Sequence, residues 1–382
     1  MKEGARHILD RSAGGSLHPA AAAALQACGT AGWSDPRSVT TEGRRASDLL
    51  SAARSSLASS LGGVPDTLHQ AAGGGHAVAD GLVGLLEGMW AAGQAPPALV
   101  VSSVDHSAAL RVARWWRSLG HPVHTVNVDS VGRFDAAEMV ELALGSGPSV
   151  VCLQLANGEV GTRQPVDEVL AQLAGTESST LLDATACVGR IPLPGGWSAL
   201  AADATSWCGP RGVGMLLTSP STPWRVREPA LEPELAVAPM VAAAAALEQV
   251  LASREADSAH TFGLVARLRR ELPLLVDDLD VPGDPDARLP HVLTVSALYT
   301  DGESIVRRLD DLGLAVGSGS ACANDSGEPS HVLAAMGALT GGNVRLVLPV
   351  TAADPALDQA VEQFLLTFPD VVRSVRTMMG AP

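Results

Sequence analysis

The feature that most constrains the fold is a regular alternation of short, mainly apolar segments with amphipathic ones between residues 98 and 218. The apolar segments cover residues 98–104, 123–128, 149–156, 180–184 and 212–218. The amphipathic segments cover 106–118, 135–144 and 166–173. Strands that lack alternating polar residues and are separated by helices are typical of a parallel sheet with helices on both faces. The sequence therefore predicts a large α/β domain with a mostly parallel sheet.

A second, smaller domain is predicted by the change of pattern after residue 217. Prolines cluster between residues 220 and 239, which is typical of a connecting segment. Beyond them the sequence predicts a long helix over 239–272, strands at 291–298 and 343–350, and helices at 302–312, 328–336 and 354–366. We expect residues 17–245 to form the large domain, and residues 1–16 together with 246–382 to form a small α+β domain.

Charge and composition exclude several classes of protein. The 26 basic residues against 41 acidic ones give a net charge of −15, which argues against a nucleic-acid binder that needs clustered positive charge. The most continuous apolar run, 235–247, falls short of the ~20 residues that a membrane span requires. The N-terminus has no secretory signal pattern, and the five cysteines have no metal-site spacing. We expect a reduced, cytoplasmic protein with no metal, nucleic-acid partner or membrane partner.

Lysine is almost absent from the chain, because Lys2 is its only lysine. Chemistry that needs a lysine amine inside the fold, such as a Schiff base, is therefore nearly excluded on composition. Lys2 precedes the first predicted strand on a terminal segment, so we do not expect it to substitute for an internal lysine.

The segment 316–339, VGSGSACANDSGEPSHVLAAMGAL, is the richest in candidate chemistry. Gly317 and Gly319 flank serines and lead to Cys322, which places the thiol in a loop. An accessible thiolate there could be a nucleophile or a sulfur carrier. The alternative is an inert, small side chain, which is typical of free cysteines. The residues alone leave both interpretations open.

This segment resembles the catalytic-cysteine loop of the cysteine desulfurases, which have the aspartate aminotransferase fold, also called fold type I. Cys322 would then be the persulfide-bearing residue. Further stretches resemble the family in the same order: HILDRSAGGSLHP at 7–19, SSVDHSAAL at 102–110, ANGEVGTRQP at 156–165, LLDATACVGRIPL at 181–193 and NVRLVL at 343–348. The resemblance implies a fold-type-I protein with a large α/β domain and a smaller α+β C-terminal domain.

The resemblance also implies which residues line the pyridoxal phosphate site. His106 would stack on the cofactor ring, Asp183 would face its pyridine nitrogen, and Arg345 would bind the substrate carboxylate. The other remnants of the cofactor cavity would be Gly73, Gly74, Gly75, Asn157 and Ser206.

The departures from the family pattern affect the residues that would bind the cofactor. The family's Ser-x-Ser-x-His-Lys stretch carries the Schiff-base lysine, and the segment that follows Ser206 lacks it. The phosphate turn Gly-Ala-Thr becomes glycines without the threonine hydroxyl, and the glutamine near the phenolic oxygen becomes Ala186. The family's Arg-Ser-Gly-Thr loop, which reaches the partner subunit's phosphate, is missing from 219–239. Together these losses predict no covalently bound pyridoxal phosphate, and leave non-covalent binding as the one alternative.

We therefore expect a cysteine desulfurase-like pseudoenzyme of sulfur or iron–sulfur metabolism that has lost its pyridoxal phosphate chemistry. Two alternatives stay open. One is a sulfurtransferase that carries a persulfide on Cys322, and the other is an enzyme of the desulfurase or aminotransferase class that binds pyridoxal phosphate non-covalently. The resemblance further implies a homodimer, with a sulfur-acceptor protein or an active desulfurase as a possible partner.

Overall fold

The computed structural model describes residues 6–12, 14–93, 95–225, 236–319 and 329–381. Lys2 and Cys322 lie outside the described residues. The strands are β1 (His7–Ile8), β2 (Leu68–Ala71), β3 (Ala98–Ser102), β4 (Val123–Val126), β5 (Ser149–Gln154), β6 (Ser179–Asp183), β7 (Ala199–Asp203), β8 (Gly214–Thr218), β9 (Leu279–Asp280), β10 (Val292–Ala297), β11 (Leu314–Ala315) and β12 (Asn343–Val347). The helices are α1 (Pro19–Ala27), α2 (Thr41–Ser60), α3 (Gly74–Ala92), α4 (Ser107–Ser118), α5 (Ala136–Gly145), α6 (Val166–Leu173), α7 (Val237–Leu275), α8 (Gly302–Asp311), α9 (His331–Met336) and α10 (Leu357–Met378).

A seven-stranded sheet forms the large domain, in the order β2-β8-β7-β6-β5-β3-β4. Strands β3 to β7 pair in parallel, and β8 runs antiparallel to both of its neighbours. Strands β5 and β6 are buried along their whole length, because helices pack on both faces of the sheet. The predicted α/β fold with a mostly parallel sheet is confirmed.

Helix α7 connects the two hydrophobic cores of the molecule. Its first half buries Ala243 and Leu247 in the core of the large domain. Its second half buries Val265 and Leu268 in a second core. This second core also contains the three-stranded sheet β12-β10-β9, the pair β1-β11 and helix α10. The boundary at residue 245 stays a prediction, since the helix runs through it without a break.

Two helix boundaries differ from the sequence prediction. Helix α9 begins at His331 rather than at residue 328, because the Ser330 hydroxyl accepts a hydrogen bond from the Leu333 N–H at 3.2 Å and so makes Ser330 the N-cap. Helix α10 extends beyond residue 366 to Met378, since its apolar stripe continues through buried Phe368 and Val372. Among the described residues, none of the helices has both the length and the apolar character needed to cross a bilayer.

Candidate functional site

The carboxyl ends of the parallel strands bring the candidate residues to one edge of the large sheet. His106 follows β3, Asn157 follows β5, Asp183 ends β6, and Ser206 follows β7. Because these strands are parallel, their ends lie on the same side, which is where open α/β sheets bind ligands. A cavity of about 340 Å³ lies at this edge, and Arg345 of β12 closes it from the small domain.

Most of the residues identified from the sequence meet in this cavity. Its walls include Gly74, Gly75, His106, Asn157, Ser206 and Arg345. Gly73 immediately precedes this group as the N-cap of α3, and Asp183 hydrogen-bonds to the wall residue Thr185. Cys322 lies outside the described residues, but Gly319 and Ser330, described residues on either side of it, both line the cavity. The part of the chain that the structure describes contains no group of three or more metal-ligating side chains.

The glycines at the start of α3 allow the backbone to pass close to the neighbouring strand ends. Gly73 has φ +156°, which favours glycine, and a Cβ on Gly74 would lie 2.8 Å from the Thr185 methyl group. The Gly74 N–H donates a hydrogen bond to Asp203 Oδ2 at 2.5 Å. Helix N-termini attract anions, and the Asp203 carboxylate already satisfies one of the free N–H groups there.

Asp183 presents one carboxylate oxygen without a partner. Its Oδ1 accepts hydrogen bonds from the Thr185 N–H and hydroxyl, at 3.0 and 2.6 Å. Its Oδ2 is buried and has no hydrogen-bond partner among the described groups. A buried, unsatisfied carboxylate oxygen is costly, so this atom is suited to a ligand that brings an N–H donor.

Asp105 is a second buried carboxylate, which the sequence analysis did not select. Burial raises its pKa to about 8; the hydrogen bond from the Ser102 N–H opposes this rise, and the charge of Asp183 adds to it. Burial also raises the pKa of Cys152 well above its usual range, and the charges of Asp105 and Asp183 raise it further. Cys152 therefore remains a thiol below the cavity and is a poor nucleophile.

The His106 ring is fixed by the first turn of α4. Its Nδ1 accepts a hydrogen bond from the Ala108 N–H at 3.0 Å, which makes His106 the N-cap of the helix. In the neutral ring the proton therefore lies on Nε2. A Cβ on Gly75 would lie 3.1 Å from the ring carbon Cε1, so the glycine allows this imidazole to lie against the start of α3.

Asn157 and Ser206 hold the walls of the cavity together. The Asn157 amide donates to the Val104 carbonyl and the Gln154 side chain, and its oxygen accepts from two backbone N–H groups of the following turn. The Ser206 hydroxyl donates to the Val188 carbonyl at 2.8 Å. Because these groups already have protein partners, both residues position the site more than they offer contacts to a ligand.

Three buried arginines form the opposite, basic wall. Arg345 contacts Asp10 Oδ2 through Nε and Nη2, both at 3.2 Å, and Arg190 contacts Asp257 at 3.4 Å. The third is Arg11, which the sequence analysis missed. Its signal was an arginine within HILDRSAGGSLHP at 7–19, one of the stretches that resemble the family.

The comparisons with known proteins agree with this arrangement. The family description "Aminotransferase class-V" matches residues 7–231. Cysteine desulfurase NifS of Azotobacter vinelandii is 30% identical over 297 residues, or 73% of this chain and 72% of that protein. A cysteine desulfurase of Cereibacter sphaeroides is 30% identical and covers 98% of this chain and 97% of its own length. A solved NifS-like protein has a TM-score of 0.84 at 22% identity, and the match covers 96% of this chain and 99% of that one.

These matches correct the sequence prediction on the cofactor. Cysteine desulfurases depend on pyridoxal phosphate and bind it covalently, so the prediction of no covalent cofactor is wrong for a chain with these relatives. The prediction rested on the altered segment after Ser206 and on Lys2 being the only lysine. It gave too little weight to the residues that would contact the cofactor ring, Asp183 and His106, which the structure places at this edge of the sheet.

The described residues fit pyridoxal phosphate on that side. The unpartnered Asp183 Oδ2 suits a protonated ring nitrogen, and His106 lies beside the start of α3. The absence of side chains at Gly74 and Gly75 leaves the first turn of α3 open to the cavity. A phosphate could approach the N–H groups of this turn.

Proposed function

Since the chain belongs to the cysteine desulfurases of the aminotransferase class-V family, we propose that it acts in sulfur metabolism as a pseudoenzyme. The desulfurase-like function follows from membership of the family, whereas the loss of turnover is proposed for this chain. One observation carries it: the described residues that line the cavity include arginines, histidines and carboxylates but no lysine. Desulfurase turnover requires a group that moves protons at the reacting carbon, within hydrogen-bond reach of it, and in the family the Schiff-base lysine is that group.

The residues present would hold the cofactor without supplying that group. Asp183 would accept a hydrogen bond from the ring nitrogen, His106 would cover the ring, and the first turn of α3 would hold the phosphate. When bound, pyridoxal phosphate acts as an electron sink. The arginines of the basic wall stay protonated and cannot accept a proton. Burial lowers the pKa of His291 well below its usual range, and the charge of Arg190 lowers it further, so this imidazole stays neutral.

The experiment that tests the pseudoenzyme proposal measures sulfide released from L-cysteine in the presence of pyridoxal phosphate, with an active cysteine desulfurase as positive control. We expect the chain, its Asp183→Asn variant and its Cys322→Ser variant to match the protein-free background. Sulfide production above background that is lost in Cys322→Ser would show turnover at this site and refute the proposal.

A second candidate function is a persulfide carrier, and the position of the described residues on either side of Cys322 favours it. Gly319 and Ser330, described residues on either side of Cys322, line the cavity. The other four cysteines, Cys28, Cys152, Cys187 and Cys208, are all buried. In the transfer, the Cys322 thiolate would attack the outer sulfur of a donor persulfide. The new S–S bond forms on Cys322, the donor S–S bond breaks, and the donor leaves as a thiolate.

Persulfide mapping after incubation with an active desulfurase and L-cysteine tests the carrier function. We expect label on Cys322 in the wild type, none in Cys322→Ser, and no label on the buried cysteines. Burial raises the pKa of both Cys28 and Cys187, with the charge of Asp183 adding to the effect at Cys187, and thiols of this kind are slow nucleophiles. Equal labelling of buried cysteines and Cys322, or no labelling, would contradict the carrier function.

We also propose that the chain is a cytoplasmic homodimer that contacts a sulfur-acceptor protein or an active desulfurase. The exposed apolar side chains of Trp33 and Val39, 74% and 87% accessible in one copy, support an interface on that side. Light scattering after size-exclusion chromatography should give about twice the 39.1 kDa mass of one chain. A mass equal to one chain at micromolar concentration would contradict the dimer.

A further inference from the structure

A second cavity, of about 680 Å³, lies at the other edge of the large sheet. Thr218, the last residue of β8, and Trp197, two residues before β7, both line it, and β8 runs antiparallel to β7. The cavity is therefore at the amino end of β7, whereas Ser206 and the candidate site lie beyond its carboxyl end. None of the described residues that line one cavity lines the other, so the two are separate sites.

The walls of this second cavity are held by the packing behind them. Gly189, in the turn after β6, has φ +77°, and a Cβ on it would lie 2.7 Å from the Val250 side chain of α7. A Cβ on Gly63, after α2, would lie 2.4 Å from the Leu217 side chain of β8. Both glycines line the cavity. These close contacts fix the two turns that border the space, and ligand sites are usually formed in this way before the ligand binds.

The lining of the second cavity is mainly apolar and carries a single charge. Arg254 is the only charged residue among the described lining residues, although the chain has 41 acidic residues against 26 basic ones. An apolar lining with few polar groups is typical of a small-molecule site, and the one positive charge selects an anion. The apolar lining residues are Leu61, Val64, Val188, Ile191, Pro192, Leu193, Pro194, Trp197, Pro220 and Leu251.

The Arg254 guanidinium is available to a ligand. The residue is half-buried on α7, and no carboxylate of the described residues lies within salt-bridge distance of it. Asp257, one turn further along the helix, is paired with Arg190 instead. Glu255 is exposed, and consecutive helical residues do not face each other. The charge of Arg254 is therefore not neutralised within the described part of the molecule.

Trp197 provides a second donor without a partner. The residue is 9% exposed, and its indole N–H makes no hydrogen bond to the described groups. Buried indole N–H groups usually find an acceptor. Trp116 and Trp207, which are completely buried, do so by donating to backbone carbonyls at 3.0 and 2.9 Å. The unsatisfied indole in the wall of the second cavity therefore indicates a place for an acceptor that comes from outside the chain.

We propose that the second cavity binds a small apolar carboxylate. Arg254 binds the carboxylate, the Trp197 N–H donates a hydrogen bond to the ligand, and the apolar body packs against the walls formed by Ile191, Leu193 and Leu251. The proposal does not depend on the desulfurase-like function, because the candidate site and the second cavity share no described lining residue.

The experiment compares the binding of 4-phenylbutyrate and 4-phenylbutan-1-ol, two probes that share an apolar body and differ in the head group, by calorimetry on the full chain. We expect the wild type to prefer the carboxylate by about 10-fold, the effect of one charge-assisted hydrogen bond. In Arg254→Gln the preference should fall to about one, because the remaining contacts are common to both probes. Trp197→Phe, which keeps an aromatic wall without the N–H, should weaken 4-phenylbutyrate by about 3- to 10-fold.

Arg373→Gln is the matched control, since it removes an arginine that is 72% exposed and lies outside the cavity; the preference should survive in it. Leu251→Trp fills the cavity and should weaken both probes, with the melting temperature recorded to confirm folding. A wild type without a carboxylate preference would overturn the proposal, as would wild-type binding of both probes in Arg254→Gln and Trp197→Phe. A preference lost in Arg345→Gln but kept in Arg254→Gln would place the carboxylate in the candidate site and overturn it too.

Discussion

Replacing Arg190 by methionine should destabilise the protein more than any surface change of the same chemistry. Arg190 is 2% exposed and donates three hydrogen bonds: Nε to the Ser206 carbonyl at 3.0 Å, Nη1 to Asp257 at 3.4 Å, and Nη2 to the Leu348 carbonyl at 3.1 Å. Its partners lie after β7, on α7 and after β12. One guanidinium therefore joins the turn below the cavity to both the connecting helix and the small domain.

The magnitude follows from what the substitution leaves behind. Methionine fills similar space, but Asp257, whose side chain is 8% exposed, keeps only the Thr351 N–H at 2.6 Å and loses its counter-charge. Removing one member of a buried ion pair costs about 3–5 kcal/mol. This range already includes the cost of leaving the Ser206 and Leu348 carbonyls without their donor, because such costs are measured on whole substitutions. We expect the free energy of unfolding of Arg190→Met to fall by about 3–5 kcal/mol.

The assay is urea unfolding at pH 7, followed by far-UV circular dichroism. Arg373→Met is the matched control: its side chain is 72% exposed and pairs with the equally exposed Asp370, so its effect should stay within about 0.5 kcal/mol. Adding Asp257→Asn to Arg190→Met should recover about 1–2 kcal/mol, because the unpaired charge is removed. If Arg190→Met is as stable as Arg373→Met, or the double variant is less stable than the single one, the reasoning is wrong.

Three further predictions concern the site. The folded-state pKa of Asp105 is raised, so its contribution to stability is complete below about pH 4 and is lost as the pH rises towards about 8. Asp105→Asn should flatten this decline in the free energy of unfolding, measured by urea titrations across that pH window. An unchanged slope of the free energy against pH would contradict the prediction. The folded-state pKa of His291 is lowered, so its contribution to stability is present above about pH 6.5 and is lost as the pH falls below it. His291→Leu should therefore reduce the acid sensitivity of the melting temperature between pH 7 and 5, and an unchanged sensitivity would count against this prediction. Gly74→Ala should lower the free energy of unfolding by about 1–3 kcal/mol, because its Cβ would lie 2.8 Å from Thr185. Gly145→Ala, whose Cβ would have nothing within 4 Å, should be neutral or stabilising. Equal effects of the two substitutions would refute the packing argument.

The sequence by itself determined the class of fold and most of its elements. Largely apolar segments such as β5 (Ser149–Gln154) and β6 (Ser179–Asp183) were recognisable because both faces of each strand are buried, so their polar residues lie at the ends. The resemblance of motifs along the chain to the desulfurase family named His106, Asn157 and Ser206 as candidates. The structure brings them to one edge of the sheet, since residues at the carboxyl ends of parallel strands lie on the same side.

The tertiary structure alone decided which of these side chains are free to act. The amide of Asn157 and the hydroxyl of Ser206 already have backbone partners, whereas Asp183 keeps one unpartnered oxygen. Hydrogen bonds of this kind join residues far apart in sequence, so no local pattern records them. The same reason explains why Arg345 was chosen from the sequence and Arg11 was not. Asp10 neutralises Arg345 across 335 positions of the chain, and only the folded molecule shows that no carboxylate of the described residues lies within salt-bridge distance of Arg11.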